Sequence, residues 1–269
     1  MHHEIHAEAT GASGPYGGAM TIRVAVIGAA GRMGSTVCQA VQAASGMELV
    51  ARLDAGDEIS PTTLAGAQVA VDFTVPAVTE SNVHALIDAG VDVVVGTTGW
   101  TKDSYGRVRT HLASPEAAGR SVLIAPNFAL SAVLSMRFAA LAAPYFESVE
   151  VIELHHPAKV DAPSGTATAT AAAIAAARQQ AGRDSSPDAT ETDPQGTRGG
   201  LVDGVRVHAV RLSGLTAHEE VLLGNPGEQL TIRTDCFDRV SFMPGVLLAV
   251  RKIGEREGLT VGLDQILDL

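Results

Sequence analysis

The chain has 269 residues, 46% hydrophobic and 18% charged, enough apolar material for a sizeable core, which excludes bulk disorder. Its formal net charge of −11 argues against nucleic acid or an anionic membrane as a partner, because both need an excess of Lys and Arg, but leaves room for a local cationic pocket around a small anion. Two cysteines, Cys38 and Cys236, make no disulfide scaffold and read as reduced, buried thiols, and no apolar run reaches the ~18 residues of a membrane span.

Residues 1–19 lack apolar periodicity and have no basic segment leading into an apolar one, so no secretory signal is expected. Their Gly-rich stretch reads as a disordered extension, an expression-tag remnant or an upstream start, with Met20 the natural beginning. Residues 22–27 (IRVAVI) predict a strand, followed by Gly28-Ala29-Ala30-Gly31-Arg32-Met33-Gly34 and a helix over 35–44. Strands at 48–53, 69–73, 91–95 and 121–125 alternate with helices at 78–89 and 102–112. That alternation predicts parallel βαβ units in a doubly wound α/β sheet, with the loops after the strands gathered along one edge.

The pattern changes after Ala129. A helix is predicted over 131–142, an alternating strand over 148–155, an Ala-rich helix over 166–180 and a polar loop over 182–200. Strands at 205–212, 218–223 and 229–235 then predict a mostly antiparallel sheet under a covering helix. A helix over 244–256 and a short apolar tail close the chain.

Between the first strand and helix, Gly28, Gly31 and Gly34 match the roles of a dinucleotide-binding turn: a tight bend, close approach of a pyrophosphate, and helix–strand packing. The spacing is GxxGxxG rather than GxGxxG, so an ordinary glycine-rich turn stays open. Asp54 ends the second strand, where a carboxylate accepts from ribose hydroxyls, and no Arg follows it to receive a 2′-phosphate. NADH is therefore favoured slightly over NADPH. Thr98 and Asn127, in loops after parallel strands, are candidates for the nicotinamide end, although each alone also suits a turn.

The segment with most chemistry is Glu153-Leu154-His155-His156-Pro157-Ala158-Lys159-Val160-Asp161-Ala162-Pro163-Ser164-Gly165-Thr166. Ser164 is placed as an N-cap, so the free amides of Gly165 and Thr166 offer an anion site, with Lys159 adding a positive charge. Histidine titrates near neutrality and serves as an acid or a charged anchor. Singly, each residue also fits a cap or a solvated surface; a metal site is not expected, since no third ligand stands at metal spacing.

These residues carry a resemblance. The strings VAVIGAAGRMG, VDFT, VVVGTTGW, IAPNF, ELHHPAKVDAPSGTA and GVLLAVRKI resemble the dihydrodipicolinate reductase family of bacterial lysine and diaminopimelate biosynthesis, in an actinobacterial-like form, from about Thr21 to the end of the chain. The resemblance implies a Rossmann-type domain over 20–129 and a substrate-binding and tetramerisation domain with a mixed sheet over 130–239. It also implies that 240–269 return to the first domain, in a cytoplasmic homotetramer that reduces a cyclic dicarboxylate with NADH or NADPH. It places Gly28, Ala29, Ala30, Gly31, Arg32 and Met33 at the pyrophosphate and Asp54 at the ribose. Gly96, Thr97, Thr98, Ala125, Pro126, Asn127 and Phe128 fall at the nicotinamide end. His155 becomes a proton donor/acceptor, Lys159 a proton donor, and His156, Gly165 and Thr166 hold the substrate carboxylates. Hinges are expected near 128–131 and 239–244. Ala55, Pro157 and Ala158 depart from family members that carry basic residues there, which bears on the choice between NADH and NADPH.

Two other readings use the same features. A semialdehyde dehydrogenase needs a nucleophilic Cys beside the nicotinamide, and Cys38 and Cys236 are both expected to lie away from it. A non-catalytic NAD(H) sensor would have little use for His155 and Lys159.

Overall fold

A computed structural model describes residues 21–267. The expectations for 1–19 and Met20 lie outside the described residues, as do the last two residues of the predicted tail. In chain order the elements are β1 (Ile22–Ile27), α1 (Arg32–Ala43), β2 (Met47–Leu53), β3 (Val69–Asp72), α2 (Pro76–Asp88), β4 (Asp92–Val95), α3 (Lys102–Leu112) and β5 (Ser121–Ile124). They continue with α4 (Leu130–Ala142), β6 (Ser148–His155), α5 (Gly165–Gln180), β7 (Gly200–Val202), β8 (Val205–Arg211), β9 (Ala217–Asn225), β10 (Glu228–Cys236), α6 (Met243–Lys252) and β11 (Gly258–Val261).

The first sheet has the order β11-β5-β4-β3-β1-β2, and all its pairings are parallel. Strands β3, β4 and β5 are buried along their whole length because helices cover both faces, as Val-rich parallel strands require. The two-residue period of a strand divides them between two cores. Val24, Val26, Val94 and Leu123 pack with Val37 and Val41 of α1 and Val246 and Val250 of α6. Ala25, Ile27, Val93, Val95, Val122 and Ile124 pack with Val83, Leu86 and Ile87 of α2 and Val108 of α3.

The second sheet has the order β10-β9-β6-β8-β7; β6 and β8 pair parallel and the other neighbours antiparallel. The parallel pair follows from α5, which carries the chain over the sheet between β6 and the later strands. Ala167, Ala171 and Ile174 of α5 close one face over Val149, Val151, Val207, Val221 and Leu223.

Two elements differ from expectation. The helix predicted over 244–256 ends at Lys252, and β11 then adds to the first sheet beside β5. β11 is short and half-buried throughout, so it carries no alternation to read; its backbone bonds to β5 define it. β7 likewise emerges at the end of the predicted polar loop through pairing with β8.

Candidate active site

The loops following β1 to β5 surround a cavity of about 890 Å³. Gly28 sits at φ +79°, left-handed backbone that glycine adopts without strain. The amides of Gly28 and Ala29 both donate to the Leu53 carbonyl, at 2.8 and 3.1 Å, tying the turn to β2. A Cβ on Gly34 would stand 1.9 Å from the Gly28 carbonyl oxygen, so α1 approaches the turn only because that position has no side chain. The Ala30 amide donates 2.8 Å to Asp54 Oδ2, which brings the acidic end of β2 over the turn.

Gly28, Gly31, Arg32, Met33, Asp54, Gly96, Thr97, Thr98, Pro126, Asn127 and Phe128 line this cavity. Ala29 and Ala125 are buried, and neither they nor Ala30 contributes to its walls. The walls also include Asp57, Ile59, the stretch from Phe73 to Pro76, Asn82 and Phe242, none of them anticipated. Asp72, fully buried, organises this end. It accepts from Thr97 Oγ1 at 2.7 Å, Thr79 Oγ1 at 3.0 Å, Thr74 Oγ1 at 2.9 Å and Asn82 Nδ2 at 2.9 Å, which fixes the loops after β3 and β4. Gly96 is glycine because the Phe73 ring fills the space of a side chain there: a Cβ would lie 2.1 Å from the ring. The VDFT string carried the signal for Asp72, but an Asp at a strand end looks like any other until its partners converge.

A second cavity of about 190 Å³ opens beside the first, sharing Pro126, Asn127 and Phe242 with it. Its other walls include His155 from β6, Ser164 and Thr166 at the start of α5, Glu219 from β9, and Thr234 and Cys236 from β10. Asn127 Nδ2 donates 3.1 Å to Thr166 Oγ1, joining the last loop of the first sheet to the first turn of α5. Ser164 caps α5, its hydroxyl accepting from the Ala167 amide at 3.1 Å.

Glu153, wholly buried, is the pivot of this site, and no local pattern singled it out. Its Oε2 accepts from His155 Nδ1 at 2.5 Å and Arg211 Nη1 at 2.8 Å. Its Oε1 accepts from Arg211 Nη2 at 2.9 Å and the Ser164 amide at 3.2 Å. Arg211 also donates 2.7 Å to the Asp161 carbonyl, so one guanidinium joins β8, β6 and the loop carrying Lys159. Burial alone would push the Glu153 carboxyl up, but the bonds from Arg211 and His155 hold it below its ordinary value. Burial pushes the His155 imidazole below its ordinary value; the charges of Lys159 and Arg211 reinforce that and the bond to Glu153 opposes it. The carboxylate accepts at Nδ1, so the proton of the neutral ring sits there and Nε2 is the basic atom.

Lys159 is near enough to His155 to depress its pKa, and its ammonium pairs with Asp161 at 2.7 Å. His156 and Gly165 are exposed, and neither they nor Lys159 lines the small cavity. Cys236, on β10 of the second sheet as expected, does not line the larger cavity but is a buried wall of the one that holds His155, because β10 runs beside β9 and ends there.

A glycine turn at the edge of a parallel sheet, with a small cavity beside it that holds an imidazole bonded to a buried carboxylate, defines an oxidoreductase of Rossmann type. The comparisons with known proteins agree. Residues 22–128 match the family model "Dihydrodipicolinate reductase, N-terminus" and residues 131–267 match "Dihydrodipicolinate reductase, C-terminus". The 4-hydroxy-tetrahydrodipicolinate reductase of Beutenbergia cavernae is 68% identical over 251 residues, 93% of this chain and 100% of the relative. That of Nocardia farcinica is 60% identical over 250 residues, again 93% and 100%. A dipicolinate-bound dihydrodipicolinate reductase from Paenisporosarcina superposes with a TM-score of 0.79 at 36% identity, covering 92% of this chain and 100% of that one. The chain belongs to the dihydrodipicolinate reductase family. It is an oxidoreductase acting on a small molecule with a pyridine nucleotide, and among the described residues no helix is long and apolar enough to cross a membrane.

Proposed function

We propose that this chain reduces 4-hydroxy-tetrahydrodipicolinate, a cyclic dicarboxylate, to tetrahydrodipicolinate in the diaminopimelate/lysine pathway, in the cytoplasm. The observation that carries this reading is the junction of the two cavities at Asn127 and Thr166, which sets His155 and the open end of α5 beside the loop after β5 that also borders the larger cavity. The dinucleotide fits the larger cavity: Arg32 and Met33, at the start of α1, receive the pyrophosphate on backbone amides, and Gly28, Ala29, Ala30 and Gly31 shape the turn that lets it approach. Asp54 accepts from the ribose. The loops at Gly96, Thr97 and Thr98 and at Ala125, Pro126, Asn127 and Phe128 hold the nicotinamide end.

When bound, the reduced nicotinamide supplies a hydride, and charge builds on the substrate ring. His155 Nε2 delivers the neutralising proton, while Glu153 fixes the ring and stabilises the imidazolium. A doubly charged substrate raises the depressed pKa of His155, so the acid is charged when its substrate is present. Lys159 leaves Asp161 for the substrate and donates the proton on which the 4-hydroxyl departs as water, the ring C–H proton lost in that elimination passing to solvent; His156 and the amides of Gly165 and Thr166 take the carboxylates. Residues 20–129 and 130–239 act as the cofactor and substrate domains and 240–269 return to the first, with hinges near 128–131 and 239–244.

NADH is favoured slightly, because Asp57 stands with Asp54 at the ribose end and a 2′-phosphate would meet both carboxylates. Exposed Phe138, Leu141, Tyr145, Leu230, Phe237 and Val240 support burial in a homotetramer. The reading is tested by following NADH and NADPH oxidation with freshly generated substrate, with dipicolinate as competitor. No oxidation, or no competition, would reject it.

A further inference from the structure

Glu219 has no part in the mechanism above, yet it forms part of the wall of the same small cavity. It pairs across the ladder with Glu153 of β6 on one side and Thr234 of β10 on the other. It is 3% exposed, and it lines the cavity with His155 and Thr166. Its Oε1 accepts from Thr170 Oγ1 at 2.7 Å, one turn along α5 from Thr166. Its Oε2 is buried and has no hydrogen-bond partner among the described residues.

Among the described residues, the groups around it leave it without a counterion. From β6 come the Glu153 carboxylate and His155, which bond each other. From β8 comes Arg211, with both Nη atoms spent on Glu153. The neighbouring His218 bonds Asp235 of β10 at 2.7 Å, and the Cys236 thiol lies further along β10. The helices contribute hydroxyls: Thr170 directly, and Ser131 of α4 through its bond to Thr234. An ionised Glu219 would be an uncompensated buried charge facing a second carboxylate. Burial accordingly pushes it up to about 7, with Glu153 adding to the rise.

We propose that Glu219 is a substrate-binding residue: its carboxyl is protonated in the complex and donates from Oε2 to a carboxylate oxygen of the cyclic diacid. This rests on the substrate class proposed above. The start of α5 holds one carboxylate, and Glu219, fixed to α5 through Thr170, meets the other as a neutral donor. A ring with two carboxylates engages both anchors, whereas one with a single carboxylate forfeits one of them. Because a dianion repels ionised Glu219, binding takes up a proton wherever the free enzyme has lost it.

The test is calorimetric titration of dipicolinate into the NADH-saturated protein, in buffers of different ionisation enthalpy, from about pH 6 to about pH 8.5. Above about pH 7 the wild-type Kd rises about tenfold per pH unit more steeply than that of Glu219→Gln, with about one more proton taken up. His155, whose pKa the dianion raises, takes up a proton of its own on binding in wild type and variant alike, so Glu219 is read from the difference between the two. Glu219→Gln, whose carboxamide donates at every pH, lacks that extra slope and matches the wild type at low pH to within about threefold. Glu219→Ala binds about 10- to 100-fold more weakly at low pH. NADH affinity reports that each variant is folded. A Glu219→Gln profile that tracks the wild type, or full affinity in Glu219→Ala, would overturn the proposal while leaving the substrate class standing. If the wild type binds no dipicolinate at any pH, the substrate class is wrong and this inference falls with it.

Discussion

Replacing Glu153 with Gln changes one atom and exposes the logic of the site. Each carboxylate oxygen accepts two hydrogen bonds: Oε1 from the Ser164 amide and Arg211, Oε2 from His155 and Arg211. A carboxamide puts an NH2 on one side, and either orientation sets it against two donors. Toward Ser164 both opposing groups are obligate donors. Toward His155 the ring can change tautomer, which moves its proton to Nε2 and leaves Arg211 with one acceptor. Breaking a buried ion pair in this way costs about 3–5 kcal/mol. For a chain of this length that lowers Tm by about 6–20 °C. The His155 imidazolium loses its stabilising charge, so its pKa falls further. A general acid works only while protonated, so the alkaline limb of kcat/KM moves to lower pH. Turnover at neutral pH falls about 100-fold. Differential scanning calorimetry and kcat/KM profiles with NADH read both effects. A Tm within about a degree of wild type, or an unmoved alkaline limb, would refute the role given to this carboxylate.

Other expectations follow from the same geometry. His155→Ala and Lys159→Ala each lower kcat by about 100-fold or more while NADH affinity, read by fluorescence titration, is retained; near-wild-type rates in both would remove the proton-donor roles. Asp54→Ala weakens NADH by about tenfold and NADPH by less, so the ratio of kcat/KM values for the two cofactors shifts toward NADPH; an unchanged ratio would detach Asp54 from the ribose. Glu219 also makes a prediction for folding. Its native pKa, about 7, lies above the unfolded value of 4.5, so the neutral acid favours the folded state. That contribution is intact below pH 4.5 and is lost as pH rises towards 7, to the extent of about 3 kcal/mol. Glu219→Gln, which cannot ionise, is therefore more stable than wild type at pH 8 in urea titrations and close to it near pH 4; equal stability at both would contradict the burial of an uncompensated acid. Cys236→Ala keeps kcat within about threefold, because the proton and hydride steps assign no role to the thiol, whereas loss of turnover would revive a cysteine nucleophile.

Local chemistry was enough to read most of the elements. Strands β1, β3, β4 and β5 announce themselves as short Val- and Ile-rich runs buried on both faces, and Gly28 with Gly34 marks the turn between β1 and α1, because each signal lies within a few neighbouring residues. Ser164 is legible as a cap for the same reason. What only the tertiary structure decided are the residues whose partners lie far along the chain. Glu153 looked like one polar position on an alternating strand until Arg211, 58 residues later, closed on it. Asp72 gains its meaning from Thr97, 25 residues away. β11 exists as a strand because β5 offers it an edge, and Cys236 borders the small cavity because β10 lies beside β9. A buried carboxylate is defined by what surrounds it, and periodicity records only which face a residue takes. The sequence could therefore locate the histidine and the helix end, while the group that orients them and the uncompensated acid opposite them emerged only when four strands and a helix came together.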